Sequence, residues 1–185
     1  MKRLIIFGLF ITILITASCP LFTGNVVAEC EALKTQSFRD TCYAELAPIL
    51  EDKAVCAKII SATAEDTCVN LVAVALNDAE FCLQIGASNI LLQNSCLETI
   101  AVELVESPIC LNLSNDSLRG TCTGKIVLIN GNLSACGELP LAQVKDKVLQ
   151  YKARDYCWNH VATSGNAPEL CANIFDEELR ESCEA

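Results

Sequence analysis

The sequence predicts an all-α fold, a short α-solenoid of about six helical hairpins each stapled by a disulfide, and three observations carry that expectation. Cysteines recur in pairs at a period of about 26 residues. The apolar residues around them fall on a helical stripe. Two-residue alternation, the mark of a half-buried strand, is nowhere sustained.

The chain of 185 residues opens on an address. Lys2 and Arg3 precede a run of about 14 apolar or small residues, Leu4 to Ala17, too short to span a bilayer comfortably. Val26-Val27-Ala28 puts small residues where a signal peptidase reads. Residues 1–28 are therefore expected to be a signal peptide, and residues 29–185 a cysteine-rich helical-repeat domain, secreted or otherwise extracytoplasmic. An alternative ends the leader before Cys19: Thr16-Ala17-Ser18-Cys19 is a weak lipobox, in which Cys19 is lipidated and holds the protein at a membrane. Both readings leave 12 of the 13 cysteines, an even number in an exported chain. Removal of residues 1–28 takes Lys2 and Arg3 and no acid, so 11 basic against 23 acidic residues leave a charge of −12. That balance excludes nucleic acid and anionic membrane surfaces as partners, since both demand clustered Lys and Arg.

The cysteines are Cys30, Cys42, Cys56, Cys68, Cys82, Cys96, Cys110, Cys122, Cys136, Cys157, Cys171 and Cys183, at steps of 12, 14, 12, 14, 14, 14, 12, 14, 21, 14 and 12. Three residues after the first cysteine of each pair stands an aliphatic residue: Leu33, Ile59, Ile85, Leu113, Leu139, Ile174. After the second cysteine, positions +1, +4 and +5 are mostly apolar, as in Tyr43, Leu46, Ala47 and Val69, Val72, Ala73, which is one face of a helix. Ser37 with Asp40, and Thr63 with Asp66, have the spacing of a hydroxyl and an acid that start a helix. The stripe ends at turn residues: Glu51-Asp52, Asn77-Asp78, Ser107-Pro108, Asn130-Gly131-Asn132 and Ser164-Gly165-Asn166. Asp52 and Asp78, four residues before Cys56 and Cys82, are placed to cap a second, shorter helix. Such short units cannot bury a face alone and must stack.

Twelve cysteines permit roughly 10,000 connectivities, but a hairpin narrows them. About a turn near Ala62, Cys56 and Cys68 lie equally far on either side, which suits a Cα separation of about 5.5 to 6 Å. Pairing in sequence order, Cys30–Cys42, Cys56–Cys68, Cys82–Cys96, Cys110–Cys122, Cys136–Cys157 and Cys171–Cys183, uses every cysteine. The shifted scheme strands Cys30 and Cys183 at opposite ends. The step between these pairs is always 14, while the step within them varies, as expected when extra residues enter at the tip of a stapled hairpin.

Catalytic, metal and cofactor sites find little support. The closest cysteines are 12 apart, far from the C-x2-4-C spacing of structural zinc, and an even count leaves no free thiol as nucleophile. His160, the single histidine, stands beside Trp158 and Val161 as a rim residue without a second catalytic group. No enzyme is therefore expected, and no cofactor.

The irregular fifth unit is the candidate partner-binding site. Twenty residues separate Cys136 from Cys157 instead of the usual 11, and the insert carries Lys145, Lys147, Lys152 and Arg154 on an otherwise acidic chain. One reading makes these cations a docking element for an acidic partner. The other makes the insert a longer hairpin with a solvated charged face over a buried stripe of Val144, Val148 and Tyr151. Asn112, Asn115 and Asn132 are N-glycosylation sequons, clustered in the fourth unit.

The motifs Cys-x-x-Ile/Leu, as at Cys56 to Ile59, and Arg-Asp-x-Cys-Tyr-x-x-Leu-Ala, Arg39 to Ala47, resemble the disulfide-stapled α-helical repeats of exported microbial proteins. The resemblance covers nearly all of residues 29–185 and implies an architecture, with no activity attached. Asn94, Gly120 and the insert depart from the pattern. A saposin-like domain is a poorer comparison, because its close-spaced cysteines at the start are missing. The leading expectation is a non-enzymatic extracytoplasmic scaffold or binding module for a protein or a cell-envelope component. The alternative is a lipid or small-molecule carrier, or an enzyme, using the concave face.

Overall fold

The computed structural model describes residues 26–139 and 152–185, and among these there are helices and turns but no strand. The all-α class is what the residues form. Six disulfides join neighbours in sequence order, Cys30–Cys42, Cys56–Cys68, Cys82–Cys96, Cys110–Cys122, Cys136–Cys157 and Cys171–Cys183, with Cα separations of 5.5 to 5.8 Å. Such a set of intrachain disulfides fits an oxidising, extracytoplasmic compartment.

Each of the first five units is a short helix followed by a long one. Unit one is α1 (Val26–Glu31) and α2 (Gln36–Leu50). Unit two is α3 (Lys53–Cys56) and α4 (Ala62–Leu76); unit three is α5 (Ala79–Cys82), a 3-10 turn (Ala87–Asn89) and α6 (Ile90–Leu104). Unit four is α7 (Ser107–Cys110) and α8 (Asp116–Asn130), and unit five is α9 (Ser134–Glu138) and α10 (Lys152–Ser164). Unit six is a 3-10 helix (Pro168–Asn173) and α11 (Glu177–Glu184). Val26 to Ala28 belong to α1, with Val27 packed on the core, so the expected leader junction falls inside the first helix. Cys19 lies outside the described residues.

Four of the five long helices stop by one device. Glu51, Asn77, Val105 and Gly131 take left-handed backbone angles, φ between 52° and 72°, and each sends its N–H back to a carbonyl at the end of its own helix. This satisfies carbonyls that a helix end leaves open. Asp52 and Asp78 then cap the short helices through the N–H groups of Ala54 and Phe81. Ser107 and Pro108, expected as a turn, instead open α7, where proline's missing N–H costs nothing.

Consecutive long helices pack side by side, and each long helix also meets the short helix of the unit after it. The core follows the expected stripe: Tyr43, Ala47, Val69, Val72, Ala73, Leu97, Ile100 and Ala101 are buried together with the disulfides. Of the aliphatic residues at +3 from the first cysteine, Ile59, Ile85, Leu113, Leu139 and Ile174 are buried, whereas Leu33 is 37% exposed. Among the described residues no unit precedes unit one.

Candidate functional site

The Arg-Asp pair before the second cysteine is the joinery of the array, and it positions a groove lined by two arginines and two aromatic residues. Its arginine closes its own unit. Arg39 Nη1 donates to Leu33 O at 2.7 Å, Arg119 Nε to Leu113 O at 2.8 Å, and Arg154 Nε to Leu139 O at 2.8 Å. The acceptor is always the carbonyl at +3 from the first cysteine. Gln93 does the same work in unit three, toward Leu83 O and Ile85 O.

The acid joins the next unit. Asp40 accepts from Ile60 N and Ser61 N, both at 3.1 Å; Asp66 accepts from Gly86 N at 2.8 Å; Asp155 accepts from Phe175 N and Asp176 N, both at 3.0 Å. Asn94 replaces the acid in unit three, accepting from Ser114 N and donating to Ser114 Oγ. Asp40 and Asp66 are thus not caps of their own helices. α2 starts at Thr35 and α4 at Ser61, and it is the Asp40 carboxylate, reaching from the unit before, that receives the free N–H of Ser61. A buried carboxylate that accepts two amides satisfies its own charge and two otherwise open donors.

The environments of these acids differ. Desolvation pushes the Asp40 carboxyl upward, but the donors Ile60, Gln36 and Ser61 and the Arg39 charge outweigh it, leaving Asp40 below the ordinary carboxylate range. At Asp155 desolvation prevails over the amides of Phe175 and Asp176, and the Asp176 charge adds to it, so this carboxyl lies above the ordinary range.

The candidate partner-binding cations are dealt with separately by the fold. Lys145 and Lys147 lie outside the described residues, as do Val144, Val148 and Tyr151. Lys152 lines a polar cavity of about 400 Å³ with Asp155, Tyr156, Asp176 and Glu178. Arg154 faces a different hollow, a groove of about 420 Å³ at the junction of units five and six, lined also by Trp158, Ile174, Phe175 and Arg180. Trp158 is half-buried and Phe175 is 65% exposed. The insert's motif gave Arg154; Arg180, Trp158 and Phe175 were missed as site residues. One signal was available, since Arg180 stands three before Cys183, the position of Arg39, Arg119 and Arg154 before their own cysteines.

Elsewhere several cations are paired with carboxylates. Lys53 pairs with Asp78, Lys58 with Glu31 at 2.7 Å and Lys125 with Glu98 at 2.7 Å, each pair spanning adjacent units, and Arg119 pairs with Asp116 at 3.0 Å. His160 lies over Gly124; desolvation, with the Lys125 charge, lowers its pKa against the pull of Glu98. Among the described residues no three His, Cys, Asp or Glu gather in a way that would hold a metal ion. Asn112, Asn115 and Asn132 are exposed. Asn115 Oδ1 caps α8 through Leu118 N, Ser114 Oγ of the first sequon is held by Asn94, and Asn132 Oδ1 accepts from Ser134 Oγ.

No family model, curated protein or solved structure matches this chain.

Proposed function

We propose that the protein is a non-enzymatic helical-repeat binding module of an extracytoplasmic compartment, and that an acidic protein or cell-envelope partner docks at units five and six. The observation that carries this reading is the groove where Arg154 and Arg180 flank Trp158 and Phe175. Most cations in the other units are tied to carboxylates, so their charge is locally cancelled. Arg180 stands 3.9 Å from Glu177, at the limit of an ion pair, and Arg154 bonds a backbone carbonyl. Arginine and aromatic residues together in a hollow are the composition of a binding hot spot, and positive potential on an acidic chain steers an acidic partner to one place.

The test immobilises the disulfide-bonded protein and captures partners from cell-envelope extract at low and high salt. Arg180→Glu should abolish capture of the specific partner, with a salt dependence lost alongside it. Lys58→Glu, a reversal at the opposite end, should leave capture intact. A partner set indifferent to Arg180→Glu would remove units five and six as the docking surface.

A further inference from the structure

We propose that the groove at the junction of units five and six receives a linear peptide in which a carboxylate side chain sits next to an apolar one, the carboxylate lying against the Nη edge of Arg154. This rests on the reading of that groove as the docking surface.

Of the four arginines at the same repeat position, three hold the carbonyl of their own unit, and comparing those three isolates what is different about one. Arg39 and Arg119 each hold the carbonyl of their own unit and use a second guanidinium nitrogen for a side chain three residues back: Nη2 of Arg39 bonds Gln36 Oε1 at 2.6 Å, and Nη1 of Arg119 bonds Asp116 Oδ1 at 3.0 Å. Arg154 makes the carbonyl bond through Nε and, among the described residues, has no side-chain acceptor for its two Nη groups. The Nε bond to Leu139 fixes the plane of the guanidinium, so presenting the other edge to a ligand costs little further rotamer freedom. A planar, oriented pair of N–H donors is matched by a planar carboxylate taken side-on.

The rest of the groove sets the neighbour of that carboxylate. Trp158 and Phe175 offer apolar surface, and Phe175 is 65% exposed, so an apolar side chain adjacent to the acid would cover area that water now touches. Arg180 adds a second positive charge on the other wall. A volume of about 420 Å³ admits a few side chains, which suits an extended segment and not the face of a folded domain.

Trp158 is the only tryptophan in the chain, so its fluorescence reports on the groove without labels. The disulfide-bonded protein is titrated with the peptide Ac-Glu-Leu-Phe-Glu-NH2, with its neutral counterpart Ac-Gln-Leu-Phe-Gln-NH2, with inorganic phosphate and with a uronate oligosaccharide. The acidic peptide should give a saturable change in Trp158 emission, and the neutral peptide should bind at least tenfold more weakly. Arg154→Lys, which keeps a charge but removes the planar edge, and Arg180→Gln should each weaken the acidic peptide about tenfold. Arg119→Lys, at the same repeat position with its edge already taken by Asp116, should bind as the parent does. Because Arg154 also holds Leu139, each variant is checked by far-UV circular dichroism, and Arg180→Gln decides if Arg154→Lys does not fold. Equal binding of the neutral peptide, phosphate or uronate binding as tight as the acidic peptide, or an unaltered Arg180→Gln variant overturns the proposal. A captured partner that depends on Arg180, together with no response to the acidic peptide, leaves the docking surface standing and sinks the peptide chemistry alone.

Discussion

Gly120 of α8 lies directly on the backbone of Ala153 in α10: a Cβ at Gly120 would fall 2.2 Å from Ala153 O and 2.6 Å from Tyr156 Cβ. Position 120 is where units one, two and five place the joining acid, so this junction exchanges a carboxylate clasp for contact between two helix backbones. Gly124, one turn on, does the same beneath His160. Restoring the repeat motif with Gly120→Asp should therefore destabilise the protein, by about 3 kcal/mol from overpacking against backbone that cannot step aside. Urea unfolding of the disulfide-intact variant measures it, and an unchanged midpoint would contradict the close approach.

The joining acid in unit five should be replaceable by asparagine only if its receptor changes too. At Asn94 the spare Nδ2 group donates to Ser114 Oγ, whereas at Asp155 the corresponding receptor is Phe175, which has no hydroxyl. Asp155→Asn turns an N–H donor toward the amide of Phe175 or Asp176 and should cost about 2 kcal/mol. Adding Phe175→Ser should recover about 1 kcal/mol in a double-mutant cycle. Strict additivity of the two changes would show that the Asn94–Ser114 arrangement does not transfer.

How much of this was legible in the chain follows from the range of each interaction. The cysteine pairing and the buried stripe are local: Cys56 and Cys68 flank one turn, and Ile59 and Val72 keep helical spacing from their own cysteines. The joining acids were visible as a motif but misread. Ser37-x-x-Asp40 has the form of a capping box, and nothing within four residues reveals that the acceptors' true donors lie 20 and 21 residues on, in the next unit. Val105 carries no signal at all. A β-branched residue at φ 58° is disfavoured, yet it holds the place that Glu51, Asn77 and Gly131 hold elsewhere. The groove was half legible, since Arg154 and Trp158 come from one unit and Phe175 and Arg180 from another, and only stacking brings them together.

The pH dependence should have opposite signs at the two ends of the array. The Asp40 carboxyl is depressed in the fold, so its contribution is present above the unfolded value of about 3.9 and is lost as pH falls through the lower folded value. The Asp155 carboxyl is raised, so its contribution is full below about 3.9 and is lost as pH rises through the higher folded value. The midpoint difference between parent and Asp40→Asn should shrink on acidification, and that between parent and Asp155→Asn should shrink as pH rises. Thermal melts between pH 2.5 and 7 check both slopes, and parallel slopes would refute the contrast.

The final prediction concerns where the array accepts extra residues. The clasp runs from two residues before the second cysteine of one unit to four residues after the first cysteine of the next, which is 20 residues for Asp40, Asp66, Asn94 and Asp155 alike. That fixed reach accounts for the step of 14 at the four junctions that carry a clasp, because any residue added there moves the amides away from their acceptor; at the junction of units four and five the close approach of Gly120 to Ala153 takes its place. Length within a pair is free beyond the clasp: unit three, two residues longer between its cysteines than unit two, accommodates them with the three-residue 3-10 turn Ala87–Asn89, and Arg154 still meets Leu139 O although 15 residues separate them instead of the 6 between Arg39 and Leu33. Inserting Ala-Ser after Ser61, at the hairpin tip, should therefore lower the thermal midpoint by only a few degrees, since a slightly longer loop costs well under 1 kcal/mol. The same two residues inserted after Asn77, between units, would separate Asp66 from the Gly86 amide and the Asp78 amide from the Ala73 carbonyl. That variant should lose about 2 to 4 kcal/mol, on the order of 10 °C or more for a domain of this size. If the two insertions were equally tolerated, the clasp would not be what holds the spacing constant.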